Sequence, residues 1–586
     1  MVEHVLAKDE TRVRFSLAAQ NLVTQNTKNL IQKVPKEVSH VTETLEKAGF
    51  EAYLVGGCVR GLLMDKEPKD WDVTTNAKPE QIIGFFPETV YENKFGTVVV
   101  IQEDVIHETS RQIEVTPYRV ETKYSDFRHP DEVRFSEKLD DDLKRRDFTV
   151  NAMALRTSSA EGGSASGGKG QLVDLFNGVK DIQSKTLRTV GRADNRFTED
   201  ALRMIRAVRF ACQLNFSVSQ DCVESIIRNS ILIKKVSAER IRDEFVKIIM
   251  SENSASGIVM LHKFNLLKNI IPELEEGINC EQLGQHIYDV WEHLLHALQH
   301  ATDKNLSLEI RLSALFHDIG KPKTRRIASQ AQQNFVALPA SGLRHEQNFS
   351  IPATQKHLGL TQKAKPASNL AWSGDFFRGP DKLLAGGATK KKYTFYGHEV
   401  VGARMAKKIM ERLKFPNKKV EIVEKLVRNH MFFSDTELIT LSAVRRIITK
   451  VGKENIWTLM NVRECDRVGM KKKETPYRLR KYFAMIEEAL RDPISVGQLK
   501  IDGEFMIKEL NITPGPRMGW ILHALLEEIL DAPEKNTVEH LSELVKSLNM
   551  LGDAELKTLG ERGKEKKEEL EEEEITKLHE KHGVRK

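Results

Sequence analysis

Strand-like runs stop near residue 195. Before that point, short β-rich stretches (Tyr53-Leu54-Val55, Trp71-Asp72-Val73-Thr74, Thr97 to Ile101 and Arg111 to Thr116) alternate with helical segments such as Pro79 to Phe86, which is the pattern of a small mixed sheet. Beyond it, helical periodicity with few Pro or Gly continues through 198–274, 284–318, 397–451 and 454–490. The expected class is therefore α+β, a small mixed-sheet head followed by all-α modules. At 586 residues, and with about 150 residues per domain, roughly four units are expected. The boundaries read as a leader at 1–40, a head at 41–192, a helical neck at 193–275, a helical body built from 284–327 and 393–490, and a helical tail at 491–586 with a charged C-terminus.

Two stretches break the pattern. Ser158 to Gly170 is a Gly/Ser linker expected between two strands. Residues 328–392 hold only three acidic residues and no sustained period, and are expected to be a disordered insertion. The tail run from Lys564 to Glu574 reads as a solvated helix with i to i+4 pairs. No run of eighteen apolar residues occurs, so no ordinary membrane-spanning helix and no membrane partner is expected. Five cysteines (Cys58, Cys212, Cys222, Cys280 and Cys465) with no CxxC pair point to a reducing compartment. Glu3, Asp9 and Glu10 in a segment without an apolar h-region argue against a secretory signal, so the expected location is cytoplasmic, with mitochondrial as the alternative. The 90 Lys plus Arg against 84 Asp plus Glu permit a polyanion partner without requiring one.

The first chemical constellation is Leu54-Val55 leading into Gly56-Gly57-Cys58-Val59-Arg60, then Asp70-Trp71-Asp72. Two glycines after a strand let backbone N–H groups approach a polyphosphate, and Arg60 just inside the next helix neutralises it. On a strand, Asp70 and Asp72 share a face about 7 Å apart and can hold divalent cations, as two-metal phosphoryl transfer requires. A lone DxD is more often an exposed strand face; the glycines and arginine beside it reverse that preference. Glu114 in Gln112 to Thr116 is the candidate third carboxylate, with a solvated strand position as its alternative.

The second constellation is Arg145-Arg146-Asp147-Phe148-Thr149-Val150-Asn151, where the arginines suit phosphates or ribose and Asp147 and Asn151 suit sugar hydroxyls. With it goes Glu199-Asp200 followed by Arg203, Arg206 and Arg209. At about 100° per residue these charged side chains form one helix face opposite an apolar half. A solvated face is the plain alternative, but such faces mix Lys with Glu, and this one is all Arg after its first carboxylate. A carboxylate accepting from an exocyclic amino group beside an Arg donating to a ring nitrogen would admit cytosine and adenine and oppose uracil and guanine.

These stretches, LVGGCVRGLL, KDWDVTT, IEVTPYR, RRDFTVNAMAL, LVDLFNG, TEDALRMIRAVRFA and SAERIRDE, resemble the class II tRNA nucleotidyltransferase and bacterial poly(A) polymerase family, in the family's order across residues 50–250. The resemblance implies a nucleotidyltransferase head, a base-reading neck and helical regions that hold the tRNA acceptor arm. It implies that Gly57 and Arg60 bind triphosphate, that Asp70 and Asp72 hold metal ions, that Arg146 binds the nucleotide, and that Asp200, Arg203, Arg206 and Arg209 meet base and phosphates. Leu175 stands where the family usually has Pro. The function so implied is addition of C, C and A to tRNA from CTP and ATP with a two-ion Mg2+ site. The alternatives are a poly(A) polymerase, or a metal-dependent phosphohydrolase with an RNA-binding head.

The second half has its own pattern. His293, His317-Asp318, His398, His430 and Asp466 resemble the HD phosphohydrolase domain, and His293, His317, Asp318 and Asp466 form a mixed N/O set suited to a second metal, with a transition metal ion as the candidate. A core or surface role is the usual one for any single His among them. The 328–392 insertion separates His317-Asp318 from His398.

Overall fold

The structure, a computed structural model, describes residues 27–584 except 28, 93–95, 103–104, 106–107, 122–132, 158–169, 283–286, 328–392, 432–439, 470–476 and 492–494. Most of the expected leader, nearly all of the Gly/Ser linker and the expected insertion thus lie outside the described residues. The class is α+β as expected, with a mixed sheet followed by helices.

The head opens with α1 (Lys36–Lys47), β1 (Ala52–Val55), α2 (Gly57–Leu63), β2 (Trp71–Thr75) and α3 (Pro79–Phe85). It continues through β3 (Thr89–Glu92), β4 (Thr97–Ile101), β5 (Gln112–Pro117), β6 (Arg119–Glu121), β7 (Val133–Phe135), α4 (Leu139–Lys144), β8 (Ala154–Leu155) and β9 (Leu172–Val173). Seven strands form one sheet in the order β3-β4-β5-β2-β1-β8-β9, and β6 and β7 form a separate antiparallel pair. Every residue of β1 is buried because alternate side chains go to opposite faces. Ala52 and Leu54 join Val38, Val41 and Leu45 of α1, while Tyr53 and Val55 join Tyr118, Leu139 and Leu143. A sheet covered on both sides reads as a continuous apolar run, and Tyr53-Leu54-Val55 does.

β1 and β2 are antiparallel, whereas β2 and β5 are parallel with Asp72 abreast of Glu114. β2 begins at Trp71, so Asp70 stands one residue before the strand rather than on it. The correction is small, because the backbone still delivers both carboxylates to the glycine turn.

The neck differs from expectation at one point. The helical face expected to start at Asp200 is broken there: α5 (Ala193–Glu199) ends, Asp200 is extended at φ −137° and ψ 105°, and α6 (Leu202–Leu214) begins two residues later. Asp200 Oδ1 accepts from the Leu202 N–H at 3.0 Å, a local bond that competes with helix continuation. α6 then ends on a left-handed Asn215, and α7 spans Ala238–Ile249. Further on, α8 (Val290–Asp303), α9 (Leu308–Phe316) and α10 (His398–Arg412) share one apolar core with α6 and α7, which reaches from Phe148 to Val427.

The chain divides into two compact units, the described residues of Met1–Arg428 with Cys465–Met470, and those of Asn429–Glu464 with Lys471–Lys586. The expected body segment 393–490 contributes to both. In the second unit, α11 (Pro516–Asp531) and α12 (Val538–Asn549) pack with α13 (Asp553–Lys581) around Ile521, Leu525, Leu541, Val545 and Leu556. α13 holds the charge run, and it meets α11 through Gly560 and Gly563. A Cβ added to Gly560 would lie 2.7 Å from Trp520 Cα, and one added to Gly563 would collide with the His523 carbonyl oxygen. Among the described residues no helix is long and apolar enough to cross a membrane.

Candidate active site

The turn from β1 to α2 passes through Gly56 at φ 76°, a region costly for residues with a Cβ. Space imposes the same requirement. A Cβ on Gly56 would lie 3.1 Å from Arg146 Nη1 and 3.2 Å from Asp72 Oδ2, and one on Gly57 would lie 3.6 Å from Asp70 Oδ1. Gly56 is thus bare because a carboxylate and a guanidinium are packed against its backbone, whereas at Gly57 a Cβ would make ordinary contact.

Register brings Glu114 of β5 beside Asp72 of β2. Burial, then the neighbouring Asp70 and Glu114 carboxylates, push the Asp72 carboxyl up to about 7. Asp72 is thus short of positive charge even with Arg146 and Arg60 nearby, and a carboxylate in that state favours a cation.

Arginines form the opposing wall, and each is already anchored. Asp142, fully buried on α4, accepts from Arg145 Nη2 at 2.6 Å and from Arg146 Nη2 at 3.0 Å. Asp147 accepts from Arg206 Nε at 2.8 Å and from Asn151 Nδ2 at 3.1 Å, while Asn151 Oδ1 accepts from Arg60. Burial opposes ionisation of Asp147, but Arg206 outweighs it and holds the carboxyl well below the usual range. Arg203 Nη1 meets Glu199 at 2.7 Å and its Nη2 donates to the Arg145 carbonyl at 3.1 Å. Asp200 Oδ2 is paired with Arg240 at 2.8 Å, and Arg209 with Glu244 at 2.6 Å.

These arginines and the carboxylates of Asp70, Asp72, Glu114, Asp147 and Asp200 open on one cleft of about 580 Å3, lined by eight arginines and five carboxylates, while Asp142, Glu199 and Glu244 lie outside its lining. Every residue expected from sequence to meet the nucleotide or its metal lines it: Gly56, Gly57, Arg60, Asp70, Asp72, Glu114, Arg145, Arg146, Asp147, Asn151, Asp200, Arg203, Arg206 and Arg209. Asp147 and Asn151 face arginines here, so their present role is to orient Arg206 and Arg60. The arginine row of α6 is not a solvated face, since Arg203 is only 8% exposed. Sequence reasoning passed over Arg119, Phe210 and Arg240, which also line the cleft, and Asp142 behind it. The spacing of Asp142 three and four residues before Arg145 and Arg146 was the available signal for the last of these.

A second cluster lies elsewhere in the same compact unit. His293 Nε2 and His317 Nε2 are 3.0 Å apart, each 3.3 Å from Asp318 Oδ2 and 3.3 and 3.4 Å respectively from Asp466 Oδ1. His317 Nδ1 faces the Ala314 carbonyl at 2.8 Å and His398 Nδ1 the Phe395 carbonyl at 2.7 Å, an arrangement that turns each Nε2 toward Asp318 as a potential ligand. Burial would lower the His317 pKa, but Asp318 and Asp466 raise it to about 10. The ammonium of Lys321, 2.6 Å from Asp318 Oδ2, adds positive charge at this cluster. His430 is buried and belongs to the second unit.

Three family descriptions match the chain: "Poly A polymerase head domain" at residues 52–188, "Probable RNA and SrmB- binding site of polymerase A" at 215–278, and "tRNA nucleotidyltransferase domain 2" at 399–545. A CCA-adding enzyme of Lactobacillus delbrueckii subsp. bulgaricus is 43% identical over 225 residues, covering 38% of this chain and 52% of its own length. One from Lactobacillus helveticus is 46% identical over 215 residues, covering 36% and 50%. The chain thus spans about half the length of the curated relatives it matches. The crystal structure of the Bacillus stearothermophilus CCA-adding enzyme in complex with CTP superposes with a TM-score of 0.48 and 22% identity, over 88% of this chain and 97% of that one.

Proposed function

We propose that this chain belongs to the class II tRNA nucleotidyltransferase and poly(A) polymerase family, whose members generally use divalent metal ions, and that it adds C, C and A to tRNA 3′ ends, taking nucleotides from CTP and ATP without a template. The observation that carries the reading is the joining, in one cleft, of the Asp70, Asp72 and Glu114 carboxylates to a wall of anchored arginines. Asp70 and Asp72, with Glu114, would hold Mg2+ in a two-ion site, which neutralises triphosphate charge and activates the attacking hydroxyl. Arg60, Arg145, Arg146, Arg206 and Arg209 offer fixed positive charge to the phosphates. Asp200 and Arg203 present an acceptor and donors to the Watson–Crick edge, and a wrong base would leave polar groups unmet at a cost of about 1 to 3 kcal/mol each. Residues 41–192 serve as the catalytic head, 193–275 as the neck, and the remaining helices hold the tRNA acceptor arm. Five buried cysteines, none of them in a disulfide, fit a cytoplasmic location.

Incubation with a tRNA lacking its 3′ CCA, and with each labelled nucleotide in turn, tests this. Two C followed by one A supports it; a long A tail assigns the chain to poly(A) synthesis instead. Base choice has its own test. Arg203→Ala should slow use of CTP and ATP and also relax rejection of UTP and GTP, because the ring-nitrogen donor is gone. Equal loss for all four bases would reduce Arg203 to its contacts with Glu199 and the Arg145 carbonyl.

The His293, His317, Asp318 and Asp466 cluster is proposed as a second metal site, since these ligand atoms all lie within 4.8 Å of one another. Such an ion would supply Lewis-acid help in phosphoester hydrolysis. The double variant His317→Ala, Asp318→Ala is expected to keep nucleotide addition and to lose any metal-dependent hydrolysis of phosphoesters or 2′,3′-cyclic phosphates. A folded variant that stops adding nucleotides would show that the two sites are coupled.

A further inference from the structure

Three guanidinium groups converge on one aromatic ring. The Cζ atoms of Arg209, Arg60 and Arg206 lie 3.9, 5.2 and 5.4 Å from the centroid of Phe210. Two of these arginines share α6 with the ring, Arg206 one turn before it, whereas Arg60 comes from α2 of the head. Phe148 also packs against the ring, edge-on at 5.7 Å with the planes 79° apart. Phe210 is 6% exposed and lines the cleft.

Three cations gathered in a partly desolvated cleft repel one another, and their other partners differ. Arg206 has the carboxylate of Asp147 and Arg209 that of Glu244, but Arg60 hydrogen-bonds the neutral amide of Asn151, with Asp147 and Asp70 acting on it through their charge. An aromatic face supplies negative potential without adding a charge that would compete for the ligand or repel it. A carboxylate in its place would neutralise the arginines and oppose an anionic substrate. An aliphatic side chain would fill the volume and supply no such potential.

We propose that Phe210 is a positioning residue for nucleoside triphosphates: its ring gathers Arg60, Arg206 and Arg209 so that head and neck arginines meet the phosphates as one preassembled group. The inference rests on the nucleotidyltransferase reading of the cleft and adds to it a residue that need not touch substrate. It also explains why an apolar side chain lines a cleft otherwise dominated by charge.

The test is a series of full-length proteins carrying phenylalanine with one, two or three ring fluorines at position 210. Fluorination weakens the ring's negative face while nearly preserving its shape and apolar character. Binding of CTP and of ATP is titrated across the series, and kcat and KM are measured beside it. The logarithm of the dissociation constant should rise with each fluorine, to a total loss of roughly two- to thirtyfold at three, with KM moving more than kcat. Phe210→Trp should retain most of the affinity and Phe210→Leu should lose it. A flat fluorine series in folded protein overturns the proposal and leaves Phe210 as packing, and that decision stands even if Phe210→Leu does not fold. Failure of the unsubstituted protein to bind either nucleotide would instead overturn the transferase reading, and this inference with it.

Discussion

Asp72→Asn should yield a protein that resists heat better than the parent and does not transfer nucleotides. The two effects share one cause. Burial and the Asp70 and Glu114 carboxylates raise the Asp72 pKa from 3.8 to about 7, so without a cation the folded state binds a proton that the unfolded chain gives up. Stability is therefore lost as pH rises from about 4 towards 7. At neutral pH the cost is of the order of a few kcal/mol, because each pH unit between the unfolded and folded values contributes about 1.4 kcal/mol. Asparagine carries no charge and removes that cost. Calorimetry in the absence of divalent ions should show Tm raised by a few degrees at neutral pH, with a smaller gain near pH 5. Activity goes the other way, because an amide cannot replace an ionised ligand; kcat/KM with CTP and with ATP should fall at least about a thousandfold. Retained turnover would remove Asp72 from the metal site, and an unchanged Tm would mean that the three carboxylates do not strain the empty cleft.

Asp147→Ala is expected to act on the other wall, and to damage fold and function together. The carboxylate holds Arg206 directly and Arg60 through Asn151, so its loss leaves one guanidinium without its charged partner and another with a loosened one. Breaking a buried pair is destabilising; with the Arg206 side chain 32% exposed to the cleft, about 2 to 4 kcal/mol is expected. Because Arg206 depresses the Asp147 pKa, the stabilisation is present above the unfolded value near 3.9 and is lost as pH falls through the folded one. Parent and variant should therefore converge in stability under strong acid. KM for both nucleotides should rise by about tenfold or more as the arginines proposed to meet the phosphates lose their orientation. Denaturant titrations over pH and steady-state kinetics read the two effects separately. A variant as stable as the parent would mean that Arg206 finds other partners.

Much of this site could be read from the order of residues, for a physical reason. The glycine turn and the DxD are short-range features, and alternation along a strand nearly suffices to place Asp70 and Asp72. Glu114 was different. Its contribution depends on β5 lying parallel to β2 in a register that sets it beside Asp72, and such non-local pairing leaves no local trace. At Asp200 a helical wheel misleads, because one side-chain oxygen accepting from the Leu202 N–H ends the periodicity on which the wheel depends. The wheel did separate the arginines of α6 from its apolar half. What it could not reveal is that each would be met by a partner, Glu199, Asp147 or Glu244, from its own neighbourhood or from elsewhere in the chain. Arg119, Arg240 and Phe210 escaped notice because an Arg or a Phe has no signature until tertiary packing gives it neighbours.

The closeness of α13 to α11 determines where the chain can be shortened. Backbone against backbone at Gly560 and Gly563 tolerates no side chain, so α13 has a single permitted rotation about its axis. Inserting one residue before Gly560 would turn the following helix by about 100° and carry both glycines away from Trp520 and His523. The acidic run that follows is therefore aimed by two uncharged residues upstream of it. Removing the chain beyond residue 564 would keep both glycines but break the ion pairs of Lys566 with Asp531 and of Arg491 with Glu571 and Glu574, whereas removal from before residue 560 would take away the glycine seat itself.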